Sequence, residues 1–252
     1  MLVEQTMEKL ISMKLGGMAE ALRQWLAQPK DRDLAPADLV GILADAEWVA
    51  RENKKLTARL RNARFRQQAC IEDIDYSQAR GLSKPLMLEL GTCRWVTAHQ
   101  NVIFTGPTGV GKSYLACALG QKACRDGYSV VYRRSSRLLD ELAQARADGT
   151  HADALRRLAK AQVLVLDDFG LETLGAAQRR DLLEVLDDRY GTSSTIITSQ
   201  LDPSGWHAVI GDETIADAVC DRLVHNAHRV KLTGESGRKT RAGLTTTTKA
   251  AK

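Results

Sequence analysis

Residues 106–113, Gly106-Pro107-Thr108-Gly109-Val110-Gly111-Lys112-Ser113, fit the phosphate-loop (Walker A) pattern GxxxxGK[ST] at every fixed position. Such a loop works only between a strand and a helix, and both flanks comply: Asn101-Val102-Ile103-Phe104-Thr105 is a strand-like apolar run, and Tyr114 to Leu119 reads as a helix. The glycines permit backbone angles and close approaches that a Cβ forbids, so successive N–H groups can converge on a polyphosphate. Lys112 adds a point charge near the β- and γ-phosphates. Ser113 offers a hydroxyl to Mg²⁺, and the helix that starts there adds its positive end. The expected ligand is a nucleoside triphosphate with Mg²⁺, and the chain must build a strand, a glycine turn and a helix around it.

The flanking pattern agrees. Val102–Thr105, Ser129–Tyr132, Val163–Leu166 and Thr195–Thr198 are short runs rich in β-branched residues, separated by helical stretches. This predicts an α/β fold, a P-loop NTPase parallel sheet flanked by helices, with ligands at the carboxyl ends of the strands. Upstream, Met7, Leu10, Ile11, Leu15, Met18, Leu22, Trp25 and Leu26 recur at spacings of three and four: an amphipathic helix bent near Gly16-Gly17 and stopped by Gln28-Pro29-Lys30-Asp31. A second helical signal starts near Pro36 and continues past Val49 into a basic stretch. The expected organisation is a small all-α N-terminal domain over 1–66, a linker and lead-in over 67–100 with a short helix at Leu86–Leu90, the nucleotide-binding domain over 101–240, and a disordered basic tail over 241–252. The apolar faces of the N-terminal helices call for a partner.

Val163-Leu164-Val165-Leu166-Asp167-Asp168 delivers two carboxylates from a buried strand, downstream of the phosphate loop. Asp167 suits Mg²⁺ and Asp168 the attacking water. An acidic turn of no chemical consequence would look the same in isolation; the distance from the loop favours chemistry. Gln200, closing Ile196-Ile197-Thr198-Ser199-Gln200, can reach between a γ-phosphate and that water, or simply hydrogen-bond in a loop. Arg222, in the helical stretch Ala216–Leu223, is a candidate arginine finger for a neighbouring subunit. A salt bridge to a nearby carboxylate competes with that role, and position alone leaves both open.

The net charge of +5 is unevenly placed. Arg51–Arg66 and Arg229–Lys252 each carry +6, which leaves −7 for the remainder. Segregation of this kind suits a phosphate backbone, although a solvated helix face and a basic tail would give the same count. Arg133, Arg134 and Arg137, or Arg156, Arg157 and Lys160, are further candidates for phosphate contacts, without a set for base readout. Five cysteines (Cys70, Cys93, Cys117, Cys124, Cys220) without a CxxC pair argue against a disulfide framework or a zinc ribbon. No apolar stretch is long enough for a membrane span and no signal peptide is evident, so a cytoplasmic location is expected.

Asn101–Gly120, Leu166-Asp167-Asp168-Phe169-Gly170-Leu171, Asp187-Asp188-Arg189-Tyr190, Thr198-Ser199-Gln200, Asp221-Arg222-Leu223-Val224-His225 and Gly234-Glu235-Ser236 together resemble the IstB family. These are AAA+ helper ATPases encoded beside the transposase in one class of bacterial insertion sequence, and they are similar to the DnaC helicase loaders. The resemblance covers nearly the whole chain. It implies ATP and Mg²⁺ as cofactors, and a homo-oligomeric ring or helical assembly on duplex DNA with ATP at the subunit interfaces. It further implies target selection, stimulation of the cognate transposase in transposition (a DNA recombination reaction), and hydrolysis that resets the assembly. By position, Asp167 and Asp168 match the family's acidic pair, Gln200 its first sensor and Arg222 its finger. Arg238 corresponds to a second sensor, in a family that lacks most of the helical lid carrying it elsewhere. Asp168 stands where many AAA+ enzymes have Glu; one methylene less of reach suits slow turnover.

Three other readings share the phosphate loop. A DnaC-like replicative helicase loader differs in what its N-terminal helices grip. A small-molecule kinase would want a mobile lid with several arginines and an acceptor pocket, whereas this chain places its positive charge in a helix and a tail. A scaffold that binds ATP without turnover is compatible with Asp168.

Overall fold

Five strands build one parallel sheet: β1 (Asn101–Thr105), β2 (Val130–Arg134), β3 (Val163–Phe169), β4 (Ser194–Ser199) and β5 (Ala227–Lys231), in the spatial order β2-β3-β4-β1-β5. The computed structural model describes residues 2–27, 34–77 and 80–234. Arg238, the tail over 241–252 and the helix stop Gln28–Asp31 lie outside the described residues. Every residue of β1 and β4 is buried, as strands inside a parallel sheet require. The apolar pattern does not predict β5. Its sequence Ala-His-Arg-Val-Lys lies at a sheet edge with only Val230 buried, so it carries no run of β-branched residues to announce it.

Period-two alternation divides the strand residues between two faces. On one face Ile103, Leu164, Leu166 and Ile197 join a core with residues of α7 (Ser135–Ala147), α8 (His151–Ala159), α9 (Ala176–Asp187), α10 (Trp206–Ile210) and α11 (Glu213–Val224). The alternate positions, Val102, Phe104, Val165 and Ile196, are wholly buried too. They face the side covered by α6 (Lys112–Arg125), whose Leu115, Ala116, Cys117, Ala118 and Leu119 are completely shielded. The chain leaves β1 through α6 and leaves β4 toward α10 and α11, on opposite faces. The carboxyl ends of neighbouring strands β1 and β4 therefore flank a crevice, the place where such sheets bind ligands.

The chain divides into two compact units between Arg59 and Leu60. The first holds α1 (Leu2–Ser12), α2 (Gly16–Ala27) and most of α3 (Pro36–Ala63). A Cβ on Gly17 would lie 2.7 Å from the Ala46 carbonyl, so only glycine lets α2 start so close to α3. At that contact the Glu47 carboxylate accepts from the N–H groups of Gly17 (2.8 Å) and Met18 (3.2 Å), capping α2 from a different helix. Val40, Ile42, Trp48 and Val49 of α3 remain exposed. In the second unit, α4 (Lys84–Leu90) and α5 (Arg94–Thr97) precede β1. No helix among the described residues is long and apolar enough to cross a membrane.

Candidate active site

The loop after β1 owes its shape to backbone crowding. Leu232, just past β5, donates its N–H to the Thr105 carbonyl at 2.8 Å. Its own carbonyl would stand only 2.2 Å from a Cβ on Gly106, whose φ is +138°. No side chain fits there. Gly109 (φ +89°) and Gly111 (φ +99°) complete the curl into α6, which begins at Lys112. The Lys112 ammonium is buried and donates to the carbonyls of Gly106 and Pro107, both at 2.7 Å, so it lies along the inside of the loop.

The loop forms one wall of a cleft of about 350 Å³. Thr108, Gly109, Val110, Gly111, Lys112 and Ser113 line it, together with Asp168 and Gln200 from neighbouring strand ends. Arg66, Arg80 and Arg134 line it as well, which the motif reading did not anticipate. Arg80 spans the loop: Nη1 donates to the Val110 carbonyl (3.2 Å) and Nη2 to the Asp75 carbonyl (2.7 Å). Arg134, expected as a phosphate contact on the DNA side, ends β2 with its Nε 3.7 Å from the Asp168 carboxylate.

A bulge separates the two carboxylates of β3. Leu166 is paired with Ile197 and Phe169 with Ser199, so β3 has one residue more than β4 over this stretch. Asp168 takes up the excess at φ +58°, a left-handed conformation that favours glycine. Asp167 consequently lies fully buried, while Asp168 turns into the cleft. The Thr198 hydroxyl, opposite the bulge, donates to Asp167 Oδ1 (2.6 Å) and accepts the Asp168 N–H (2.9 Å). The Tyr132 hydroxyl donates to Asp167 Oδ2 (2.6 Å); burial first, then this bond to an anion, pushes its pKa above the ordinary tyrosine value. Thr198 was legible only as part of a motif, and Tyr132 not at all. Neither carries a signal of its own: Thr198 is one of four hydroxyl residues in β4, and Tyr132 is followed by two arginines in β2.

Ser113 and Asp167 offer hard oxygen donors, a set that fits Mg²⁺. Each Asp167 oxygen keeps a lone pair beyond the hydroxyl bond it accepts.

Arg222 lies elsewhere. It borders a smaller cavity with Asn101 and Arg189, ion-pairs with Asp187, and donates Nη1 to the Ala218 carbonyl at 2.8 Å. Asn101, opening β1, donates to the carbonyls of Arg222 (3.0 Å) and Leu223 (3.2 Å), which pins the end of α11 to the sheet. The neighbouring Arg189 is a buried staple: its guanidinium donates to the carbonyls of Leu158 (2.6 Å), Ala161 (2.7 Å) and Ser194. Burial lowers its pKa to about 10. The five cysteines are free thiols, and burial pushes Cys117 up to about 11 and Cys93 up to about 12.

The family model described as IstB-like ATP binding protein matches residues 8–244. The insertion sequence ATP-binding protein y4pL of Sinorhizobium fredii (strain NBRC 101917 / NGR234) is 52% identical over 239 residues, 95% of this chain and 98% of that protein. Among solved structures, the crystal structure of DnaI matches with a TM-score of 0.58 at 22% identity, over 66% of this chain and 92% of that one. The crystal structure of the DnaC helicase loader matches with a TM-score of 0.55 at 21% identity, over 65% and 96%. These two likenesses show the fold alone, a parallel sheet flanked by helices.

Proposed function

This chain belongs to the IstB-like ATP binding protein family, and on that footing we propose that it is a cytoplasmic, Mg²⁺-dependent ATPase that self-assembles on duplex DNA, selects or prepares the target, and stimulates its cognate transposase. The observation that carries the catalytic part is the bulge in β3, which sets Asp168 in the same cleft as Lys112, Ser113 and Gln200. In this reading the triphosphate threads the glycine loop and draws the Lys112 ammonium from the loop carbonyls onto the β- and γ-oxygens. Ser113 and Asp167 hold Mg²⁺, which when bound offsets the charge of the phosphates. Asp168 polarises the attacking water and Gln200 orients it against the γ-phosphate. Arg222 exchanges Asp187 for the γ-phosphate of a neighbouring copy, so the nucleotide sits at a subunit interface. Hydrolysis removes the γ-phosphate and with it the contact that holds two copies together. An aspartate in the water-polarising position suits slow turnover, the behaviour of a timer.

Steady-state hydrolysis of Mg-ATP, measured with and without duplex DNA, tests this. Turnover should rise several-fold with duplex and vanish in Lys112→Ala; equal turnover in both conditions would contradict an ATPase assembled on DNA.

A further inference from the structure

Beside the nucleotide cleft lies a depression of about 370 Å³ lined by Arg64, Arg66, Arg133, Arg134 and Arg137, with Tyr132 and Glu141. We propose that this depression seats a nucleic-acid phosphodiester backbone, and that it reports occupancy to Asp168 through the two arginines it shares with the cleft. The proposal deepens the ATPase reading above and rests on it.

The local sequence brings the guanidiniums together from two directions. Strand β2 passes into α7 without a loop, which places Arg133, Arg134 and Arg137 around one corner. Opposite them the chain turns sharply out of α3 at Arg64, whose φ is +57°. A residue with a Cβ costs about 1–2 kcal/mol there, and helices commonly end on glycine in this conformation. An arginine stands in that place. Phe65, between Arg64 and Arg66, packs so closely on α6 that a Cβ on Gly120 would lie 2.7 Å from its ring, and this contact fixes where its two neighbours emerge.

The lining selects the ligand. Five guanidiniums face one carboxylate, and that carboxylate, Glu141, is taken up by Arg133 Nε at 2.9 Å. Arg64 and Arg137 are exposed and form no ion pair among the described residues. Arg134 Nε is shut from solvent and makes no hydrogen bond among the described residues. A protein partner would need an apolar anchor at the centre. The only aromatic lining residue, Tyr132, is 6% exposed and lies on the floor. Concentrated guanidiniums without an apolar centre match phosphate oxygens.

The coupling follows from shared side chains. Arg66 Nη1 and Arg134 Nε approach the same oxygen, Asp168 Oδ2, at 3.8 and 3.7 Å, and the floor residue Tyr132 holds Asp167. A backbone phosphate in the depression competes for both guanidiniums. Drawing them away returns Oδ2 to the water it polarises, so DNA binding raises hydrolysis.

The test uses the full-length protein and a mixed-sequence duplex, with affinity measured as a function of salt. Arg64→Asn combined with Arg137→Gln should weaken duplex binding by about tenfold or more and reduce the salt slope by about 1–2. Nucleotide affinity and DNA-free hydrolysis should stay within about twofold, which also reports that the variant folds. Glu141→Gln should tighten binding, and it decides alone if the double variant does not fold. Arg134→Gln should raise DNA-free hydrolysis and bring the ratio of stimulated to unstimulated rate toward one, whereas a purely structural role would lower both rates together. Inorganic tripolyphosphate separates the sources of phosphate: variants that change its binding but not that of duplex would overturn the proposal. Wild-type affinity and slope in both the double variant and Glu141→Gln would also overturn it while leaving the ATPase reading intact. A wild-type protein that neither binds duplex nor responds to it would defeat both.

Discussion

Thr198→Val tests whether the β3 bulge is held by one hydroxyl. The side chain is completely buried, and valine keeps its shape while deleting the hydroxyl that donates to Asp167 Oδ1 and accepts the Asp168 N–H. Two groups lose their partners, one a fully buried carboxylate oxygen and the other a half-buried N–H. At about 1–3 kcal/mol for each stranded group, the loss comes to about 3 kcal/mol, less a few tenths for the added methyl. For a domain of this size each kcal/mol lowers Tm by about 2–4 °C, so calorimetry should show a drop of about 6–12 °C in the ATPase unit. Hydrolysis should fall further than stability implies. The bulge sets Asp168 at φ +58°, and if Asp168 polarises the attacking water as proposed, misplacing it by about 1 Å costs about a hundredfold in rate. Thr198→Ser keeps the hydroxyl and should lose no more than about 1 kcal/mol. If the valine variant were as stable and as active as the serine variant, the hydroxyl would not be what positions the carboxylates.

Three further outcomes follow from the geometry. Gly106→Ala should abolish nucleotide binding and lower stability by more than about 2 kcal/mol, because its Cβ would overlap the Leu232 carbonyl; retained binding in equilibrium dialysis would contradict the crowding argument. The Arg51 guanidinium, followed by the Met18 and Gly17 N–H groups, outweighs burial and holds Glu47 below its ordinary value of 4.5. Its contribution is therefore complete above that value and disappears as pH falls through the lower folded-state value, so helicity of the N-terminal unit should decline in acid, with a flatter profile in Glu47→Gln, as circular dichroism would show. Arg189→Met strands three buried carbonyls and should destabilise the ATPase unit by about 3–5 kcal/mol, while nucleotide affinity per folded molecule stays unchanged.

The parts of this site that can be read from the chain are those whose spacing is dictated by one local piece of backbone. The phosphate loop is such a piece: Gly106, Gly109, Gly111, Lys112 and Ser113 act within eight residues, so their order is their geometry. The acidic pair at the end of β3 and Gln200 at the end of β4 are legible for a similar reason, since both follow buried apolar strands. What could not be read depends on which strands lie side by side. Tyr132 reaches Asp167 only because β2 pairs with β3, and Thr198 meets the bulge only because β4 does. The bulge itself leaves no mark, since an aspartate occupies the left-handed position where a glycine would have signalled it. Arg66 and Arg134 read as basic residues for DNA; the fold sets both at the mouth of the nucleotide cleft. Arg222 shows the opposite limit. Its nearest partner is Asp187 within its own chain, and a role toward another copy requires that copy.

That role is tested most directly by mixing two inactive variants with Mg-ATP and duplex DNA. Lys112→Ala subunits lack the phosphate-loop cation but retain Arg222; Arg222→Ala subunits retain the loop. If the nucleotide of one copy is completed by the arginine of the next, hydrolysis absent from each variant alone returns in the mixture and peaks at an intermediate ratio. Co-assembly of the two folded variants without hydrolysis at any ratio would contradict it.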